Sequence, residues 1–366
     1  MTSALFSPVR LAGLELPNRI VIAPMCQYSA ENGEVGNWHM THLGMLANSG
    51  AGLVIVEMTN VEPQGRITKG CVGLYSDACE TALARVIAHC KAIGSARFGV
   101  QIAHAGRKAS TLPPWQGGKP VAQSDGGWEA IGPSPIAFGI DWPVPREMTE
   151  ADMARVRDGF VSSAKRAVRA GFDAIELHAA HGYLLHSFIS PLSNRRKDSY
   201  GGSLEARMRF PLEVTTAVHA AMPKGMPLGA RITGSDWLEG GITPDDAVAY
   251  AGMLKDAGLD YVDVSSGGIT LNARNPTDYC YNAPLAEKVR RGTGLVTRTV
   301  GLIVTPQQAE AVVAHGQADM VALGRAVLDD PHWGWHAAQV LGGEVKRPLQ
   351  YVRAGPQLWP AAALRA

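Results

Sequence analysis

The feature that most constrains this chain is the alternation of short apolar runs with longer amphipathic stretches. Strand-like runs occur at 19–24 (RIVIAP), 52–58 (GLVIVEM), 98–104 (FGVQIAH), 172–178 (FDAIELH), 227–233, 261–266, 296–301 and 319–324. They are short, β-branched and nearly continuously apolar, as expected of parallel strands covered on both faces. Helix-like segments lie between them: Trp38 to Asn48, Asp77 to Ile93, Thr149 to Ala170, Ser203 to Ala221, Thr243 to Ala257 and Thr305 to His315. Several open on Thr-Pro or Thr-Glu and are followed by Gly, the expected capping asymmetry. Eight such strands alternating with helices predict an α/β fold, a single (β/α)8 TIM barrel over 1–366. A doubly wound open sheet is the competing arrangement, but no G-x-G-x-x-G follows a strand.

At 366 residues the chain exceeds the ~250 typical of this barrel. The excess falls in an insertion after strand three (106–147), expected to cap the active-site face, and in an extended tail (345–366). Composition removes other classes. With 34 Lys plus Arg against 33 Asp plus Glu there is no electrostatic footprint for nucleic acid or an anionic membrane. No apolar run reaches the roughly 18 residues of a membrane span. The start carries charge early and has no apolar signal core, and the five cysteines are never spaced C-x-x-C. Reduced thiols in a cytoplasmic protein are the expectation, with no metal.

Barrel enzymes place their chemistry at the C-terminal ends of the strands. Those positions hold Cys26, Tyr28, Asn60, Gln101, His178, His181, Tyr183, Arg231, Ser265, Gly301, Gly324 and Arg325. In E-L-H-A-A-H-G-Y (176–183), three uncharged donors leaving one strand end suit an oxygen that gains negative charge. The phenol adds a proton source. A pair of core histidines is the plain alternative. A metal-dependent hydrolase or lyase using His178 and His181 is the rival enzyme class. Gly301 and Gly324-Arg325 follow strands seven and eight, where barrels hold phosphate, which suggests a mononucleotide such as FMN. Gln101 and Arg231 suit the pyrimidine edge of a flavin, where reduction places negative charge.

These residues carry a family resemblance. A-P-M-C-Q-Y (23–28), P-Q-G-R-I-T (63–68), Q-I-A-H-A-G-R-K-A-S (101–110), H-x-x-H-G-Y and S-N-R-R-x-D-x-Y-G-G-S (193–203) resemble the old yellow enzyme family of FMN-dependent ene-reductases. The similarity is greatest to its thermophilic-like and xenobiotic-reductase branch and covers nearly the whole chain. It implies tightly bound, non-covalent FMN reduced by NADPH or NADH, and activated alkenes as substrates. Pro24, Cys26, Asn60, Gln101, Arg231, Gly301, Gly324 and Arg325 would hold or tune the cofactor. Tyr28, His178 and His181 would bind substrate, and Tyr183 would donate the proton. Lys108 would join the hydrogen-bond network on the flavin side. Arg353 would reach a neighbouring subunit's site, implying a homodimer or homotetramer. Two departures stand out: Asn60, where alanine is common, which leaves room for a backbone contact but alters the flavin rim, and Arg298 within the seventh strand, where a guanidinium needs a partner.

Overall fold

All eight apolar runs are strands. The computed structural model describes residues 3–365. Its barrel strands are β1 (Ile20–Ile22), β2 (Leu53–Asn60), β3 (Arg97–Ala103), β4 (Ala174–Ala179), β5 (Leu228–Thr233), β6 (Tyr261–Ser265), β7 (Val296–Val300) and β8 (Met320–Leu323). Each pairs in parallel with the next, and β8 closes on β1.

The helices are α1 (Asn37–Leu46), α2 (Asp77–Ile93), α3 (Glu150–Arg169), α4 (Leu184–Ile189), α5 (Leu204–Ala221), α6 (Pro244–Asp256), α7 (Ala283–Thr293), α8 (Pro306–Ala314), α9 (Arg325–Asp329) and α10 (Trp333–Leu341). Thr149, Thr243 and Thr305 cap α3, α6 and α8, each in a reciprocal box with Asp152, Asp246 or Gln308. Such caps contribute about 1 kcal/mol each. Four helices go beyond the periodicity reading. α4 and α9 are too short to show a period, whereas α7 carries its own punctuation, a Pro in the first turn and a left-handed Gly294 beyond its end.

The strands are covered on both faces, but the two coverings differ in kind. Alternate residues of a barrel strand face out and in. Ile175, Leu177, Ala230, Ile232, Val262 and Val264 belong to the large apolar core that includes the helices. Glu176, Arg231, Asp263 and Arg298 are instead linked to one another inside the barrel. Arg298 thus has its partners, Glu176 and Asp263.

Below that layer an antiparallel hairpin, Val9–Leu11 with Leu14–Leu16, seals the strand-N-terminal end. Its Leu11 and Leu16 pack with Val21, Leu53, Ile55, Tyr261 and Met320. Gly229 is required here, because a Cβ would lie 2.1 Å from the Tyr261 ring. The interior is therefore graded, from apolar floor through ionic layer to a polar mouth.

In the insertion, Ile131–Gly132 pairs with Arg146–Glu147, and Phe138 reaches Lys108 at the mouth. The tail runs the other way. Residues 346–351 share a hollow with Asn48 and residues 92–95, at the C-terminal ends of α1 and α2. Gln339 Nε2 of α10 donates to the Ala362 carbonyl, so the last turn folds back on its own chain. Among the described residues no helix is long and apolar enough to cross a membrane.

Candidate active site

The site starts from the way the chain leaves β4. His181 and Gly182 both take left-handed backbone, at φ +58 and +74. A non-glycine residue there costs about 1–3 kcal/mol, so the surroundings must hold it. Lys108 Nζ donates to the His181 carbonyl at 2.8 Å and to that of Gly268 at 3.3 Å. The His181 N–H donates to Thr233 Oγ1 at 3.3 Å, and the Gly182 N–H to His186 Nδ1 at 2.8 Å. His186 is held in turn by Asp236, 3.2 Å from its Nε2. The result is a compact cluster: the His178 ring lies edge-on to His181 at 5.2 Å and to Tyr183 at 4.7 Å.

Burial decides what these groups carry. Desolvation, then the positive charge of Arg231, pushes both imidazoles well below the ordinary histidine range, so they are neutral at pH 7. His178 Nδ1 accepts the Ala180 N–H at 3.2 Å, which leaves its proton on Nε2 as a donor. His181 Nε2 lies 2.7 Å from Ser265 Oγ. When that hydroxyl donates, the ring proton sits on Nδ1 and is free to donate as well. Burial, then Cys26 and Tyr28, pushes the Tyr183 phenol well up, so it keeps its proton. Burial, then Cys71, does the same to the Cys26 thiol, which is therefore no thiolate nucleophile. Cys26, Tyr28 and Tyr183 flank one apolar cluster with Met58 and Ala103. Tyr28 has φ +50, and its carbonyl approaches Gly70 so closely that a Cβ there would lie 2.3 Å away. Lys108 is pushed down to about 7 by burial and then by Arg107.

Beside the cluster lies a cavity of about 520 Å³. His181, Arg231, Ser265, Gly301, Gly324 and Arg325 line it. Gly301 has φ +122, and a Cβ on it would meet Asn282 Nδ2 and the Tyr281 ring at 2.8 Å. Gly324 is open, with only Met25 Sδ near, at 3.7 Å from where a Cβ would be. Gln101 Nε2 donates to Glu176 Oε1 at 2.8 Å, and Arg231 Nε lies 3.0 Å from Asp263 Oδ2. Both heads are thus anchored from below. Pro24 is half-buried in the loop after β1.

The structure also places Asn60, Lys108 and Arg353. The Asn60 N–H donates to Val72 O at 2.9 Å, and its carbonyl accepts from Leu74 N at 2.9 Å. Its Nδ2 also donates to Val72 O, at 2.8 Å. Its buried Oδ1 is without a hydrogen-bond partner. Lys108 braces the His181 turn and points its ammonium over the Tyr183 ring at 4.8 Å. Arg353 lies exposed in the tail turn Leu349–Ala354, away from its own chain's mouth. The sequence reading also passed over His186, Asp236 and Asp263. The first follows H-x-x-H-G-Y by three residues and the second ends the run after β5, so their spacing was visible but their convergence was not.

This donor set fits FMN: the guanidiniums of Arg231 and Arg325 and two glycines line a single cavity, the Gln101 amide is buried at the end of β3, and Asn60 carries a buried orphan acceptor. Fold and site together define a flavin-dependent barrel oxidoreductase. Residues 4–343 match the model of the NADH:flavin oxidoreductase / NADH oxidase family, and the chain belongs to that family. The NADPH dehydrogenase of Geobacillus thermodenitrificans is 44% identical over 355 residues, covering 96% of this chain and 99% of that one. The NADPH dehydrogenase of Listeria innocua is 39% identical over 354 residues, with the same coverage of 96% and 99%. Among solved structures, morphinone reductase superposes with a TM-score of 0.77 at 27% identity, covering 95% of this chain and 92% of that one. Its complex with tetrahydroNAD gives 0.76 at 27%, covering 94% and 92%. The chain is an FMN-dependent oxidoreductase that draws on NAD(P)H.

Proposed function

We propose that this oxidoreductase is an ene-reductase acting on activated alkenes, that is, α,β-unsaturated carbonyl or nitro compounds. The chemistry that bound FMN supplies is hydride relay, from NADPH or NADH to the β-carbon of the alkene. Gln101, Arg231, Asn60, Gly301, Gly324 and Arg325 are the residues that would hold it, with Pro24 and Cys26 alongside. The observation that carries the reading is the neutral His178–His181–Tyr183 cluster at the edge of the cavity. His178 Nε2–H and His181 Nδ1–H donate to the substrate's carbonyl or nitro oxygen and stabilise the charge that gathers there. Tyr183, holding its proton, delivers it to the α-carbon, and Tyr28 packs against the same apolar cluster as Tyr183. Lys108 keeps the His181 turn in place.

The test is the pair of half-reactions. Tyr183→Phe should slow alkene reduction by about 10²–10⁴-fold and leave cofactor reduction by NADPH essentially unchanged. Equal slowing of both would overturn the proton-donor role. Among the described residues no three His, Cys, Asp or Glu side chains are grouped to hold a metal ion, so nothing favours the hydrolase or lyase reading. The intact donor set also speaks against a non-catalytic flavin binder.

A homo-oligomer belongs to the same proposal. Arg353 is exposed in the same turn as Leu349 and Tyr351, which are themselves 85% and 51% exposed, an apolar surface suited to a second copy. The five free cysteines suit a cytoplasmic setting.

A further inference from the structure

A charge layer crosses the barrel directly beneath the residues assigned to the flavin. Arg298 on β7 is fully buried, and its Nη2 bonds Glu176 Oε2 on β4. The same nitrogen lies 3.0 Å from Asp263 Oδ2 on β6. Glu176 accepts from Gln101 on β3, and Asp263 pairs with Arg231 on β5. One continuous chain of contacts thus runs from Gln101 through Glu176, Arg298 and Asp263 to Arg231. It ties together, from below, the two heads that would face the pyrimidine edge.

The layer is not built for stability. Arg298 Nε and Nη1 and Asp263 Oδ1 are buried without a hydrogen-bond partner. Buried ion pairs of this kind commonly contribute less than an apolar replacement would. What Arg298 does change is the charge count. With it, two guanidiniums face two carboxylates and the layer is neutral. Without it, Glu176 and Asp263 outweigh Arg231 by one negative charge, just below a group on which reduction places more. Burial opposes the Arg298 charge, but Asp263 and Glu176 outweigh burial and keep its pKa above the ordinary value.

We propose that Arg298 is a positioning residue that sets the reduction potential of the cofactor. By neutralising Glu176 and Asp263 it leaves the field of Arg231 to the flavin and makes reduction easier. This rests on the cofactor placement proposed above.

The test is the midpoint potential of the holoenzyme, read from equilibrium with a reference dye. R298M should shift the equilibrium about tenfold toward oxidised cofactor, which for two electrons is about 30 mV downward. E176Q, which keeps the acceptor for Gln101 but removes a negative charge, should shift it upward. R298M/E176Q restores neutrality and should return close to the parent value. Shifts of the same sign in R298M and E176Q, or a double variant lower than R298M, would overturn the proposal. If R298M does not fold, R298Q, which loses the charge but can still donate to Glu176, should show the same downward shift and R298K, which keeps the charge, should not; an unchanged potential in R298Q would overturn the proposal. The placement itself is tested separately by R231M: unchanged FMN affinity and potential there would refute the placement, whereas a disordered charge series alone would refute only the role of Arg298.

Discussion

Two polar regions lie one above the other inside this barrel, the lower fully buried and the upper half-buried at the cavity. In the lower one, Glu176, Asp263, Arg231 and Arg298 are paired with one another. In the upper one, His178, His181 and Tyr183 are held without charge. Burial therefore has opposite outcomes. Where an opposite charge lies within about 3 Å, ionised side chains persist; where none does, desolvation selects the neutral form. The layer beneath supplies fixed charge, and the mouth supplies neutral donors whose protons remain available. A mouth of charged imidazoles would repel Arg231 and lose its fixed tautomers.

The largest expected effect breaks the lower region. Asp263→Ala leaves Arg231 without its carboxylate and Arg298 with Glu176 alone, and should cost about 3–5 kcal/mol of folding stability, read as a lowered denaturant midpoint.

The next distinguishes the two regions by acid. Both mouth histidines have folded pKa values below the unfolded value near 6.5, so the unfolded chain binds more protons below that pH. Their contribution is full above about 6.5 and is lost as pH falls, at about 1.4 kcal/mol per histidine per pH unit. A double His178→Gln/His181→Gln variant should flatten the stability profile between pH 6.5 and 5 by that slope. An unchanged profile would mean that other groups carry it.

Lys108 tests the boundary. Its folded pKa, about 7, lies below its unfolded value, so its stability penalty is full below pH 7 and relieved as pH rises toward about 10.4. In the alkene half-reaction, wild type should slow as pH rises through 7 and the ammonium charge beside His181 is lost. Lys108→Met should remove that inflection.

The smallest expected effect is Ser265→Ala. It deletes the hydroxyl partner of His181 Nε2, and should weaken substrate binding about fivefold, roughly 1 kcal/mol, with cofactor reduction untouched.

Much of this was readable along the chain. FDAIELHAAHGY displays the alternation that sends Ile175 and Leu177 outward and Glu176 and His178 inward, because a strand has period two whatever surrounds it. The Thr caps and glycine stops mark the helices for equally local reasons. The hairpin at 9–16 was not readable, since three-residue strands carry no period. Nor was the ionic layer, whose members stand up to 122 residues apart, from Glu176 to Arg298. Asn60 shows the limit at a single residue: its position at a strand end was evident, but the commitment of its N–H to Val72 depends on where residue 72 returns.

By itself, then, the order of residues determined the barrel, the end at which chemistry collects and the identity of the donors there, because propensity, periodicity and capping act within a few residues. Only the tertiary structure decided which of those donors are charged. That depends on depth and on the charge brought alongside from other strands, as Arg298 shows: an isolated anomaly in β7, and a partner to β4 and β6 once the barrel closes.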